Sequence, residues 1–388
     1  MRVVPALLLS LVLAAPALAQ SRQVIPGARP DSPFSAAVKA DGLIFVSGML
    51  SQGADVGAQT RATLQQIDQV LQKAGSRLAN AVSVTVFLKN QGDFAAMNDA
   101  YKTFWTADPP VRTTVVAELV VPSALVEISV IAVPDGGERV VIHPEGWLRS
   151  PNPYSYGIRT GNTLFLAGLV SRNGRENTVV EGDMAVQAKQ ALDNAGDILK
   201  SAGFGYGDVV QSRVFISDLD GFQAMNGVYR TYFESDPPVR ATVVAPLTSP
   251  QYLVEVSLLA VKAPRTVVTT PAADGTPGRA SSLLSSSLKV GNRLYLSGML
   301  GSTDATKGDM EGQTREALAR LVRTLEAAGY AASDVVDATV YITDVNQFAA
   351  MNRAYQAVFT SAPPARATVR TGLVSPGGLV EIMLTAVK

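Results

Sequence analysis

The sequence predicts an α+β protein built from three tandem copies of one unit, on three observations. The first is self-similarity. FAAMNDAYKTFWTADPPVRTTVVA from Phe94 returns as FQAMNGVYRTYFESDPPVRATVVA from Phe222 and as FAAMNRAYQAVFTSAPPARATVRT from Phe348, at spacings of 128 and 126 residues. The second is that helix-period and strand-like stretches alternate inside each copy. The third is punctuation: Pro134-Asp135-Gly136-Gly137 and TTPAADGTPGRASS, both rich in turn-forming or small residues, separate the copies. These set the units at 22–135, 138–263 and 280–388, behind a leader at 1–19.

Each unit opens on a hairpin-like stretch. GLIFVSGML from Gly42 corresponds to NTLFLAGLV from Asn162 and NRLYLSGML from Asn292. A helix follows, with Leu64, Ile67, Leu71 and Ala74 on one face and Gly75 as its stop signal. Leu318, Leu321, Leu325, Ala328 and Gly329 repeat it. The β-branched run SVTVFL then predicts a strand, and Phe94, Met97, Tyr101 and Phe104 a second helix with an apolar core face. The Pro-Pro pair is expected to stop that helix, because proline cannot continue it. Asp108 and Asp236 precede that pair and read as turn residues, since the third copy has Ala362 there. Two further strand-like runs close the unit, the last being LVEISVIAV, LVEVSLLAV or LVEIMLTAV. This order layers helices on one face of a sheet. Gly203-Phe204-Gly205-Tyr206-Gly207 imitates a phosphate loop, but it follows a helix and precedes a strand, the reverse of the dinucleotide fingerprint. It reads as a connector.

The leader has Arg2, then VVPALLLSLVLAAPALA, ending in Ala17-Leu18-Ala19 before Gln20. A short positive start, an apolar middle and an A-x-A site describe a secretory signal peptide, and the run is short for a membrane span. An exported protein, periplasmic or secreted and without stable membrane insertion, is the expectation. The rest of the inventory excludes a good deal. With no cysteine there are no disulfides, thiolate nucleophiles or cysteine metal sites. The lone His143 has no repeat counterpart and cannot form a multi-histidine centre. Lys plus Arg balance Asp plus Glu at 33 each, so no global field attracts nucleic acid.

Three polar positions nevertheless hold in every copy: Asn98, Arg112 and Glu127; Asn226, Arg240 and Glu255; Asn352, Arg366 and Glu381. The arginine follows the asparagine by 14 residues and precedes the glutamate by 15 each time. Each glutamate interrupts an apolar strand. An isolated buried carboxylate would cost several kcal/mol, so it should face a solvated cavity or a partner. Two readings are open. Arg and Glu pair with each other as structural glue, or the planar guanidinium holds a small carboxylate-bearing substrate while the glutamate orients or deprotonates water. The asparagine is either a surface polar residue or a further hydrogen-bonding group of the same cavity.

PPVRTTVVAELVVPSALVEI, PPVRATVVAPLTSPQYLVEV and PPARATVRTGLVSPGGLVEI, with SG and MNxxY ahead of them, resemble the signature of the Rid family. These are the YjgF-type enamine/imine deaminases once labelled endoribonuclease L-PSP. The resemblance covers all three units. It implies a chorismate-mutase-like α+β unit that assembles as a trimer, with sheets inside, helices outside and ligand clefts between neighbours; here it would be a covalent pseudo-trimer. It also implies hydrolysis of reactive imino acids to ketoacids and ammonia without a cofactor. By position, Arg112, Arg240 and Arg366 match the carboxylate-binding arginine, and Glu127, Glu255 and Glu381 the water-positioning, catalytic glutamate. Asn98, Asn226 and Asn352 fall in its N-x-x-Y block. Ser47-Gly48 and Ser297-Gly298 match its Ser-Gly pair, which meets the ligand through its backbone, as Gly168 would. Thr114, Thr242 and Thr368 stand where cysteine or threonine is usual.

The copies also depart from that pattern. Only Tyr154 keeps the tyrosine of the PYS motif, replaced elsewhere by Phe34 and Leu284, and its own copy has Ala167 in place of the serine. The three clefts are therefore expected to have different walls. The alternative to catalysis is capture of small carboxylates, or a chaperone-like role, through the same clefts. RNA cleavage, implied by the older label, has no basic stripe and no histidine pair to support it.

Overall fold

A computed structural model describes residues 22–27, 29 and 31–388. The expected signal peptide lies outside the described residues. Strands β1 Gln23–Ile25, β2 Ala37–Ala40 and β3 Leu43–Met49 open the first unit. Helix α1 Val56–Lys73, β4 Ala81–Leu88 and α2 Phe94–Tyr101 follow, then β5 Val111–Val116, β6 Glu118–Leu119 and β7 Val126–Ala132. The second unit comprises β8 Val140–Ile142, β9 Gly157–Thr160, β10 Thr163–Leu166 and α3 Met184–Ser201. It continues through β11 Val209–Ile216, α4 Phe222–Tyr229, β12 Val239–Val244 and β13 Val254–Val261. The third has β14 Arg265–Val268, β15 Ser287–Val290, β16 Arg293–Leu300 and α5 Met310–Ala327. It ends with β17 Val335–Ile342, α6 Phe348–Val358, β18 Ala365–Arg370, β19 Gly372–Leu373 and β20 Val380–Val387. Strand β14 lies ahead of residue 280 and pairs with β15, so part of the stretch between units belongs to the third sheet.

The long helices form for the reasons their sequences give. In α1 the Asp55 side chain caps the first turn by accepting from the Ala58 N–H at 2.7 Å, and Gly75, at φ +75°, takes the left-handed turn that ends it. Leu64, Ile67 and Leu71 are wholly buried against the sheet. The shorter α2, α4 and α6 end at Tyr101, Tyr229 and Val358, several residues before the prolines. Contrary to the expectation from sequence, the Pro-Pro pairs therefore do not stop these helices, and Phe104 lies beyond α2. The pairs serve the joint between units instead: Ser155 donates its hydroxyl to the Pro109 carbonyl and Ser285 its hydroxyl to that of Pro237, both at 2.6 Å, and the Ser35 hydroxyl reaches Pro363. The residues before them, Asp108, Asp236 and Ala362, sit at positive φ.

Each unit pairs its β4-type strand parallel to the β5-type strand and antiparallel to the closing strand. One face of each sheet packs on its two helices, giving three separate apolar clusters. The other faces meet one another. Phe87, Phe215 and Tyr341, from the three equivalent strands, share one inner cluster. Helices are thus outside and sheets inside, as expected. Short strands pass around the ring: β6 of the first unit extends the third sheet beside β18, and β19 of the third extends the second beside β12. Leu247 of the second unit bridges Val115 of the first. The circuit closes as an intrachain pseudo-trimer. Among the described residues no helix is long and apolar enough to cross a membrane.

Candidate active site

Three clefts lie where neighbouring units meet, and each takes its arginine from one unit and its glutamate from the next. Arg112 and Glu255 line one cavity of about 250 Å³ together with Thr114, Tyr154 and Gly168. The Thr114 N–H donates to Glu255 Oε1 at 3.2 Å. In the same way the Thr242 N–H faces Glu381 beside Arg240, and the Thr368 N–H faces Glu127 beside Arg366. The Arg and Glu that share a repeat therefore serve different clefts. Among the described residues no ion pair joins any of these arginines to any of these glutamates. Pairing as structural glue is not what the geometry gives.

The glutamates are held by a break in the opposite strand. Register shifts between Val46 and Met49 in β3, and between Leu296 and Met299 in β16, bulge the chain at Ser47-Gly48 and Ser297-Gly298. In the second unit β10 ends at Leu166, and pairing resumes as a bridge from Leu169 to Val256 beyond Ala167-Gly168. A Cβ on Gly48, Gly168 or Gly298 would overlap the carboxylate oxygen of Glu127, Glu255 or Glu381 respectively. The carboxyl lies directly on the backbone, and only glycine leaves it room in this position. The serine hydroxyls are engaged within the protein. Ser47 donates to the Ser35 carbonyl and accepts from the Arg366 N–H at 2.8 Å, and Ser297 donates to Ser285 and accepts from the Arg240 N–H at 2.9 Å. The side chains of the pair therefore fix the neighbour's arginine strand, and any contact with a ligand falls to its backbone, as the resemblance implies. Ala167 supplies no such hydroxyl.

Burial sets the charge of the site. Glu127, Glu255 and Glu381 are 2, 3 and 4% exposed. Loss of solvation pushes each carboxyl up to about 8, against the opposing pull of a threonine N–H and the arginine. At neutral pH the three acids are therefore mostly protonated. Burial also lowers the three arginines, which remain charged because their ordinary value is so high. Each guanidinium lies over a tyrosine ring: Arg112 over Tyr101 at 4.8 Å, Arg240 over Tyr229 at 4.7 Å, Arg366 over Tyr355 at 4.6 Å. These tyrosines, read from sequence as core, are core and also the floor of the arginine; the thrice-repeated N-x-x-Y spacing carried that signal.

The same donors are left over in every cleft. Nη1 of Arg112, Arg240 and Arg366 and Oγ1 of Thr114, Thr242 and Thr368 are buried without a hydrogen-bond partner. The asparagines diverge. Asn226 accepts from Arg240 Nη2 at 2.8 Å, while Asn98 donates to Asn152 at 3.3 Å and, like Asn352, keeps a buried Oδ1 without a partner. The aromatic wall diverges too: Tyr154 and Phe34 lie 5.9 and 5.2 Å from Arg112 and Arg366, and Leu284 takes that position in the third unit. His143 is exposed, bonds the Trp147 carbonyl at 2.9 Å and lies outside the Arg112 cavity.

Comparison with known proteins agrees with this repeat structure. The family described as Endoribonuclease L-PSP matches residues 26–134, 147–262 and 278–388. A RutC family protein of Sulfurisphaera tokodaii is 40% identical over 110 residues, 28% of this chain and 88% of the relative. The 2-iminobutanoate/2-iminopropanoate deaminase of Mus musculus is 34% identical over 112 residues, 29% of this chain and 83% of that protein. A crystal structure of chorismatase, 16% identical, superposes with a TM-score of 0.53 over 79% of this chain and 93% of its own, a likeness of fold. The chain therefore belongs to the endoribonuclease L-PSP family, the Rid or YjgF proteins, and joins three copies of that domain in one polypeptide.

Proposed function

We propose that this chain hydrolyses 2-imino and enamine acids to 2-ketoacids and ammonia. The observation that carries the reading is the triplicated set of unpartnered buried donors, Arg Nη1 and Thr Oγ1, facing a protonated glutamic acid across a unit boundary. The arginine fork would hold the substrate carboxylate. The glutamic acid gives its proton to the imine nitrogen, making the carbon electrophilic. As carboxylate it then takes a proton from water while the oxygen bonds to that carbon, forming a carbinolamine. Returning this proton to nitrogen lets the C–N bond break, ammonia leaves, and the hydroxyl proton of the resulting ketoacid restores the glutamic acid. Residence in the periplasm or outside the cell is part of the proposal, supported by the leader sequence. N-terminal sequencing of purified native protein should begin at Gln20, and a mature chain starting at Met1 would overturn it.

The test generates imino acids from several amino acids with an amino-acid oxidase and follows ketoacid release. The wild-type chain should accelerate release, and Glu127→Gln, Glu255→Gln and Glu381→Gln together should remove about 10²–10⁴ of that rate. Because the acting glutamic acid must carry a proton, kcat/KM should fall as pH rises through about 8. No acceleration over the panel of precursors would sink the reading and leave capture of carboxylates as the function.

A further inference from the structure

The first cleft holds a second arginine at a position where the other two units have none. Arg172 lines the same cavity as Arg112 and Glu255. Counting from the conserved glycines, its counterparts are Gln52 after Gly48 and Ser302 after Gly298. It stands on an enlarged segment: sixteen positions separate Gly168 from the start of α3, against eight and twelve in the other units. That segment is braced. Arg172 and Val179 form a bridge, the Val180 N–H reaches the Ser171 carbonyl at 3.0 Å, and Asn194 donates to the Arg172 carbonyl at 2.6 Å.

The guanidinium is aimed by two bonds. Its Nε donates to Asn177 Oδ1 at 2.6 Å and its Nη1 to the hydroxyl of Tyr252, itself a lining residue, at 3.2 Å. Asn177 sits at φ +57°, a left-handed conformation uncommon outside glycine, in a turn closed by its N–H on the Asn173 carbonyl at 2.8 Å. Among the described residues no protein acceptor is bonded to Nη2 and Arg172 has no ion-pair partner. One cavity therefore presents two guanidinium groups with donors to spare. Its one carboxyl, Glu255, is mostly protonated at neutral pH and offsets little of that charge.

We infer that the first cleft selects substrates with two acidic groups, 2-imino dicarboxylates, with Arg112 on the carboxylate beside the imine and Arg172 on the side-chain carboxylate. This rests on the imine-hydrolase reading for the word imino and on the two arginines for the word dicarboxylate. A terminal carboxylate meeting a preset arginine makes a charge-assisted hydrogen bond, worth about tenfold to a hundredfold in affinity over a methyl group in the same place.

Stable ketoacids separate the two claims. Calorimetric titration of the full chain, in an Arg240→Met/Arg366→Met background that leaves one carboxylate anchor, would compare 2-oxoglutarate with 2-oxopentanoate, its equal-length analogue ending in methyl. The former should bind at least about tenfold tighter. Arg172→Gln should abolish that ratio and Arg172→Lys should keep part of it. Equal affinities in the parent, or a ratio that survives Arg172→Gln, would overturn the inference; should the glutamine variant fail to fold, a ratio insensitive to salt would do the same. If the ratio holds but no imine is turned over, the dicarboxylate site stands and the hydrolase reading falls. If imines are hydrolysed with no preference between aspartate- and alanine-derived substrates, the reverse is true.

Discussion

The first cleft, where Arg112 meets Glu255, and the second, where Arg240 meets Glu381, share a backbone plan and differ in what surrounds it. The first is lined by Tyr154 and Arg172 and has Ala167 before its glycine. The second has Leu284, Ser302 and Ser297 at those positions, and its arginine is already engaged by Asn226. In a trimer of identical chains every cleft must carry the same wall. Joining the units covalently keeps assembly intramolecular, at high effective concentration, and frees each wall to vary. What does not vary is the set that would do the chemistry: Arg, Thr, Glu and the glycine under the carboxyl.

The glycine gives the sharpest way to break this comparison. Gly168→Ala should push the Glu255 carboxyl off its position and lower first-cleft turnover by about 10²–10³, as removal of a proton-transfer group would. Gly298→Ala should act on the second cleft by the same overlap with Glu381. Steady-state kinetics on the two single variants would rank the clefts. If Gly168→Ala leaves dicarboxylate-derived turnover unchanged, the chemistry is not in the first cleft.

The common feature of all three clefts should be visible in stability. Burial pushes each glutamate up to about 8 in the folded protein, from an ordinary value near 4.5. The folded state binds these protons more tightly than the unfolded chain does. Their contribution is therefore complete below about pH 4.5 and is lost as pH rises through about 8. Thermal melts at pH 5 and pH 8 should show the wild type losing on the order of several kcal/mol from these groups, with a flatter profile for the triple Glu→Gln variant. Parallel profiles would mean that the carboxyls ionise in the folded chain at little cost.

Much of the plan was legible in the sequence, and the limits of that reading have physical causes. The Asn, Arg and Glu positions stood out because strands and helices of fixed length impose fixed spacing on whatever they carry. The same spacing concealed the pairing across units. Glu127 lies 15 residues from Arg112 whether it faces that arginine or, as the fold has it, Arg366. The second role of Ser47 was not legible, because a sequence shows its adjacency to Gly48 but not the bulge that turns its hydroxyl onto the neighbouring unit's strand. Arg172 is not marked by the repeat, because Gln52 and Ser302 stand at the corresponding positions and a difference between copies carries no shared spacing. The Pro-Pro pair was misread for a related reason: a helix stop is a local property, whereas an acceptor for a neighbour's serine is not.

Ala167 offers the smallest effect and the cleanest comparison of the joints. In the other two clefts a serine hydroxyl at this place accepts from the backbone N–H of the arginine across the boundary, at 2.8 and 2.9 Å, and donates its own O–H to a carbonyl of its unit. Removing it by Ser297→Ala leaves a buried donor and acceptor unpaired and should cost about 1–3 kcal/mol. Ala167→Ser adds the same link where the backbone plan already matches: the Ala167 N–H bonds the Tyr156 carbonyl just as the Ser297 N–H bonds Ser286. The new hydroxyl would lie between the Ser155 carbonyl and the Arg112 N–H, and the gain should be about 0.5–1.5 kcal/mol, read as a small rise in melting temperature. Ala167 is wholly buried, so the added oxygen must find both partners to give that sign. A fall in melting temperature would show that the first joint has closed around the methyl group, and that its arginine is held by a different means from the other two.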